Sequence, residues 1–191
     1  MNNLSKSTLL LIGLLLILCT TAAARPMTGN IALLAVQEET NQGSVADLTL
    51  ELQSGKGRGF IETFPLTKVD TQISTRFAKD VACSILEKDC SKYDFIYTIN
   101  SDSYIIGGPS AGAAITILTM ALLEGEQPDA KVAMTGTINS GGFIGPVSGI
   151  KAKIQAANDN HLEKVLIPSG TRYHKENITS QSLDLVAFGN E

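Results

Sequence analysis

Apolar positions along the chain change spacing several times, and each change marks an element. Asn30–Gln37 is an apolar, β-prone run, and Ser44–Leu52 alternates, with Val45, Leu48, Leu50 and Leu52 set among polar or small residues. Gly55–Gly59 reads as a turn and Phe60–Phe64 as a further strand, so two or three antiparallel strands open the fold. Asp70 is placed to cap a helix over Thr71–Glu87, where Ile73, Phe77, Val81 and Ile85 recur every four residues and Ala78, Ala82 and Leu86 widen the stripe. Phe95–Ile99 is a short strand. Ser110–Glu124 is apolar on nearly every face, the mark of a buried central helix, and Gly125 and Pro128 stop it. Lys131–Gly136 predicts a strand, Asn139–Gly149 a glycine-rich bend, Ile150–Asn158 a short amphipathic helix, and Val165–Ile167 and Leu183–Phe188 the last strands. The pattern predicts an α+β fold, a single mixed α/β domain over 25–191.

The first 24 residues stand apart. Lys6 precedes an apolar run from Leu9 to Leu18, and Cys19–Thr21 leads to Ala22, Ala23 and Ala24. That order fits a secretory signal peptide ending near Ala24. An uncleaved membrane anchor through residues 9–24 is the other expectation, although the apolar core is short of the ~20 residues of a comfortable crossing. Either way the domain is expected to be secreted or extracytoplasmic. There Cys83 and Cys90 could pair, provided the preceding helix ends before Cys90: on one continuous helix seven residues span ~10.5 Å, beyond disulfide reach. Asn177-Ile-Thr179 fits a glycosylation acceptor.

Composition narrows the chemistry by exclusion. The 191 residues carry 15 Lys+Arg against 19 Asp+Glu, a net charge of −4, and only 5% are aromatic. A nucleic-acid partner would call for a basic stripe or stacking platforms, so none is expected. The only histidines are His161 and His174, neither in a glycine-rich motif, which leaves a Ser-His-Asp triad poorly supported. No HExxH, CxxC or clustered His/Asp set occurs, so neither a metal site nor a cofactor is expected.

What remains is Gly107-Gly108-Pro109-Ser110-Ala111-Gly112, which sets a hydroxyl at the mouth of the buried helix. Pro109 suits a helix entry, and the free N–H groups and positive dipole end there favour a developing oxyanion. Ser110 as a simple helix cap is the plain alternative. The later segment Met134-Thr-Gly136, Gly142, Pro146, Gly149 and Lys151 changes the balance. Lys151 opens a helix whose apolar positions Ile150, Ile154 and Ala157 are expected to turn it towards the core. Burial and the helix dipole would then leave its amine neutral enough to deprotonate a serine.

These two segments together resemble the proteolytic domain of the Lon proteases. Gly108-Pro-Ser-Ala-Gly112 is similar to the family's nucleophile motif, Met134-Thr-Gly136 through Gly149-Ile-Lys151-Ala-Lys153 to its lysine segment, and Lys164-Val-Leu-Ile-Pro168 to its next strand. The resemblance implies a fold of the Lon proteolytic type, with N-terminal antiparallel strands and a central helix starting at the nucleophile. It implies a Ser-Lys dyad endopeptidase with Ser110 as nucleophile and Lys151 as general base, Lys153 lying on the surface. Thr135 would hold the amine, and backbone around Gly108, Pro109 and Ala111 would face the oxyanion or substrate, with Pro109 unable to donate.

The chain carries no GxxxxGK[ST] motif and no residues matching an ATP-driven module, so an ATP-independent peptidase acting on unfolded proteins or peptides is expected. The alternative is a catalytically inactive module for peptide binding or assembly. Family rings leave a homo-oligomer open. Departures from the family pattern lie just before the serine, where Thr98-Ile-Asn-Ser-Asp-Ser-Tyr104 replaces a histidine-bearing stretch and Gly107 stands in place of an aspartate.

Overall fold

Alternation along the strands sorts their side chains onto two faces of one sheet. The computed structural model describes residues 26–37, 40–171, 173–175 and 182–184. Strands β1 (Met27–Val36), β2 (Gly43–Ser54), β3 (Gly59–Thr67), β4 (Tyr93–Ile106), β5 (Val132–Met134) and β8 (Lys164–Leu166) form a six-stranded sheet in the order β3-β4-β2-β1-β5-β8. Helices α1 (Val69–Ile85) and α2 (Gly112–Glu124) pack on one face. Their core gathers Ile31 and Leu33 of β1, Leu48, Leu50 and Leu52 of β2, Phe95, Tyr97 and Ile99 of β4, and Ile115, Leu118 and Leu122 of α2. The intervening residues Ala32 and Leu34 point to the other face, where Ala133 of β5 and Ala157 of helix α3 (Ile150–Asp159) meet them. Two short antiparallel pairs, β6 (Thr137–Ile138) with β7 (Ile144–Gly145) and β9 (Tyr173–Lys175) with β10 (Ser182–Asp184), complete the described elements.

The mixed α/β class and the antiparallel opening hold: β1 pairs antiparallel with β2 from Met27↔Leu52 to Val36↔Gly43. The third strand differs from expectation. β3 does not close a hairpin on β2; β4 inserts between them, antiparallel to β2 and parallel to β3. Asp94 on β4 explains why the glycine turn tolerates the insertion. Its carboxylate accepts the N–H groups of Lys56 (2.8 Å) and Arg58 (3.0 Å) and is paired with the Arg58 guanidinium through Nε (2.9 Å) and Nη2. The turn's donors thus go to β4 instead of β2. The Arg58 hydrogen bond and the two backbone donors hold the Asp94 carboxyl well below the usual carboxylate range.

Helix α1 is rotated relative to its apolar stripe. It buries Thr71, Ser74, Thr75, Ala78, Val81 and Ala82, while Ile73 is 61% and Ile85 49% exposed. Side-chain size and hydrogen bonding account for this. The face turned inward meets the carbonyls of residues 108 and 109, which need hydroxyl donors, and Ser74 lies so close to α2 that a Cβ on Gly112 would come within 2.9 Å of its Oγ. The helix ends at Ile85, a 3-10 turn follows at Cys90–Lys92, and Cys83 is bonded to Cys90.

Membrane attachment, expected through residues 9–24, does not carry forward. No helix among the described residues is long and apolar enough to cross a membrane. Residues 1–24 lie outside the described residues, as do the acceptor triplet at 177–179 and positions 185–188 of the last predicted strand, of which Leu183 and Asp184 fall in β10.

Candidate active site

Ser110 is presented by a tight turn and not by the first residue of a helix. Gly108 adopts φ 103° and ψ 149°, a conformation glycine alone enters without strain, and Pro109–Ala111 form a 3-10 turn that runs into α2 at Gly112. The helix therefore begins two residues later than the motif suggested, leaving Ser110 just ahead of its positive end. The helix behind it is anchored by bulk. Ala113, Ala114, Ile115 and Leu118 are all at most 1% exposed, and its buried Thr116 and Thr119 donate to the carbonyls four residues back, at 2.8 and 2.7 Å.

The segment after β5 is stitched to this turn. The Ser110 carbonyl accepts the Gly136 N–H at 2.9 Å and the Thr135 hydroxyl at 3.4 Å, and the Ala113 N–H returns to the Gly136 carbonyl at 3.0 Å. Thr135 is itself 1% exposed. Its oxygen accepts a 2.9 Å hydrogen bond from the Nζ of Lys153, which is 3% exposed. One hydroxyl thus links the backbone of the serine to the amine of a lysine from another helix.

That lysine is not the one the sequence expectation favoured. Lys151 is exposed and Lys153 buried, the reverse of their expected orientations. Helical geometry gives the reason. At about 100° per residue, Ile150, Lys153, Ile154 and Ala157 share an arc of about 100°, and Lys151 falls about 60° outside it. Gly149 fixes where the arc points. It caps α3 with φ 67°, and a Cβ there would lie 2.5 Å from Val36 Cγ2, so the helix starts hard against β1. Burial lowers the Lys153 pKa from its ordinary 10.5 to about 8.

Ser110 and Lys153 both line a cleft of about 460 Å³, with Ala35 and Val36 on one wall and Asp70 and Thr137 on others. Of the backbone groups expected around the oxyanion, Gly108 and Pro109 line the cleft; the Gly108 N–H is already bonded to Asp70 Oδ1 at 3.2 Å. From the sequence Asp70 reads only as a helix cap. The cap position is Lys68, and Asp70 sits in the first turn of α1, accepting the Thr71 N–H at 2.7 Å. Nothing local in the sequence joins Asp70 to a glycine thirty-eight positions away.

Comparison with known proteins places the chain in a family. Residues 78–188 match the family model of the Lon protease (S16) C-terminal proteolytic domain. A Lon protease of Desulfosudis oleivorans is 30% identical over 147 residues, 74% of this chain and 18% of the relative. One from Lachnoclostridium phytofermentans is 29% identical over 140 residues, 70% of the chain and 17% of the relative. The peroxisomal Lon protease homolog 2 of Danio rerio is 39% identical over 85 residues, 43% and 10% respectively. The chain belongs to the Lon proteolytic-domain family, a family of Ser-Lys serine endopeptidases. It spans less than a fifth of the length of these relatives.

Proposed function

We propose that this domain cleaves unfolded polypeptides with Ser110 as nucleophile and Lys153, not Lys151, as general base. The observation that carries the assignment is the buried Lys153 amine, held by Thr135 in the cleft that also contains Ser110. A neutral amine that donates one N–H to Thr135 keeps its lone pair for the serine proton. Ser110 Oγ then attacks the scissile carbonyl carbon while its proton moves to Lys153 Nζ. The oxyanion forms ahead of the positive end of the α2 dipole, where backbone N–H groups of the turn can stabilise it. Collapse breaks the C–N bond, the ammonium gives its proton to the leaving amine, and an ester to Ser110 remains. Lys153 next takes a proton from water, the hydroxide attacks the ester, and the proton returns to Ser110 as the acid product leaves. Every proton moves between groups in the cleft, so the reaction is proposed to need neither ATP nor a metal. Adding ATP or a chelator is expected to change the cleavage rate of an unstructured peptide by less than about twofold.

The site of action is proposed to be outside the cytoplasm, which the Cys83–Cys90 disulfide and the signal-like order of residues 1–24 support. Reaction of the full chain with a fluorophosphonate tests the nucleophile. Mass spectrometry is expected to find the adduct on Ser110 and no adduct in Ser110→Ala. An unlabelled Ser110 at every pH from about 7 to 10 would remove the assignment.

A further inference from the structure

Two consecutive glycines precede Pro109-Ser110, so the backbone is freest where the nucleophile most needs fixing. Pro109 holds its own φ but nothing upstream of it. In the structure the slack is taken up from α1. Asp70 Oδ1 accepts the Gly108 N–H at 3.2 Å, the Thr71 hydroxyl donates to the Gly108 carbonyl at 3.3 Å, and the Ser74 hydroxyl donates to the Pro109 carbonyl at 3.4 Å. On the far side, Gly136 N–H and the Thr135 hydroxyl hold the Ser110 carbonyl. Each carbonyl from 108 to 110 therefore has a donor outside the turn, and Asp70 supplies the acceptor for an amide.

The members of this clamp differ in kind. Thr71 and Ser74 are buried and act on carbonyls from within the α1 packing face. Asp70 is exposed on the rim of the cleft, yet its oxygen fixes the peptide joining Gly107 and Gly108. Loss of that acceptor would free this peptide plane to rotate between two residues that tolerate both signs of φ. The Ser74 contact to the Pro109 carbonyl does not involve Asp70, and the Thr71 hydroxyl, which also lies 3.5 Å from Asp70 Oδ1, keeps the Gly108 carbonyl as its acceptor when that oxygen is lost, so the α1 packing would remain.

We propose that Asp70 is a positioning residue for the nucleophile: its carboxylate locks the Gly107–Gly108 peptide and thereby sets the direction of the Ser110 hydroxyl towards the Lys153 amine. This rests on the assignment of Ser110 and Lys153 as the dyad. The lock depends on an acceptor oxygen at the right reach, not on negative charge. Asparagine preserves that oxygen. Serine still caps Thr71 locally but falls short of Gly108, and alanine offers nothing.

Steady-state cleavage of an unstructured fluorogenic peptide by the full chain separates these cases. Asp70→Ala and Asp70→Ser are expected to lower kcat about tenfold with KM within about twofold, the scale of one lost hydrogen bond to a charged group. The rate of fluorophosphonate labelling at Ser110 should fall in parallel, and the midpoint of the pH–rate profile should stay in place. Asp70→Asn should keep at least about half of the wild-type kcat. Should Asp70→Ala fail to fold by circular dichroism, Asp70→Ser and Asp70→Asn carry the comparison. Unchanged kcat in Ala and Ser, equal losses in Asn and Ala, a loss confined to KM, or a moved pH midpoint would each overturn the positioning role. Ser110→Ala, run alongside, keeps the dyad distinct. If Ser110→Ala still cleaves, the dyad assignment fails; if it is inert while the Asp70 variants match wild type, only the role of Asp70 fails.

Discussion

Lys153→Met is expected to lower kcat/KM for an unstructured peptide by at least ~10³-fold, while Lys151→Met stays within about twofold of wild type. The two lysines lie on one helix, two positions apart, and carry the same charge, so bulk electrostatics cannot separate their effects. Only geometry does. Lys153 is 3% exposed, bonded to Thr135 and in the cleft, whereas Lys151 is exposed. Methionine matches the lysine stem in length and polarisability, so it fills the space left beside Ile150 and Ile154 without an ammonium to desolvate. Lys153→Met should therefore fold at least as well as wild type, and thermal unfolding at neutral pH should occur at the same or a higher temperature. Inactivity together with retained stability assigns the loss to the amine. The inverse pattern, with Lys151→Met inactive and Lys153→Met competent, would return the base to Lys151.

The same pair of lysines shows how far the sequence alone could be read. Element types were recoverable because they rest on local period: the alternation of Val45, Leu48, Leu50 and Leu52 and the all-round apolar run after Ser110 each report a face or its absence. The full arc of α3 was legible as well. Ile150, Lys153, Ile154 and Ala157 stand at i, i+3, i+4 and i+7, and the lysine belongs to the buried set as soon as all four are counted. The expectation for Lys151 rests on the same apolar positions, Ile150, Ile154 and Ala157, but Lys151 stands about 60° outside the arc they define.

Other features had no local signal. The apolar spacing of Ile73 and Ile85 correctly indicated a helix but not which side would pack, since that depends on the carbonyls of residues 108 and 109 needing the hydroxyls of Thr71 and Ser74. The insertion of β4 between β2 and β3 depends on Asp94 meeting Lys56 and Arg58 across nearly forty residues. Contacts of that kind are created by the fold itself, and single-residue periodicity contains none of them.

If Lys153 is the base, the rate must follow the fraction of its amine that is neutral. Its pKa in the folded protein is lowered to about 8, with burial as the cause. Below that value kcat/KM is expected to rise about tenfold per pH unit, with a midpoint near 8 and a plateau above about 9, so pH 6 should show about a hundredth of the plateau rate. Stability has a matching signature with a definite sign. Below about 8 both folded and unfolded chains hold the proton, and the folded state bears the cost of a buried ammonium. Between about 8 and the ordinary 10.5, the folded chain has released that proton while the unfolded chain still binds it. The unfolded state then binds more protons, so this residue makes stability increase with pH across that window. The difference in unfolding free energy between wild type and Lys153→Met, measured by urea denaturation across the same window, should narrow as pH rises. A rate that stays flat from about pH 6 to 9, or a stability difference independent of pH over that window, would mean that the buried amine is not the group exchanging protons with Ser110.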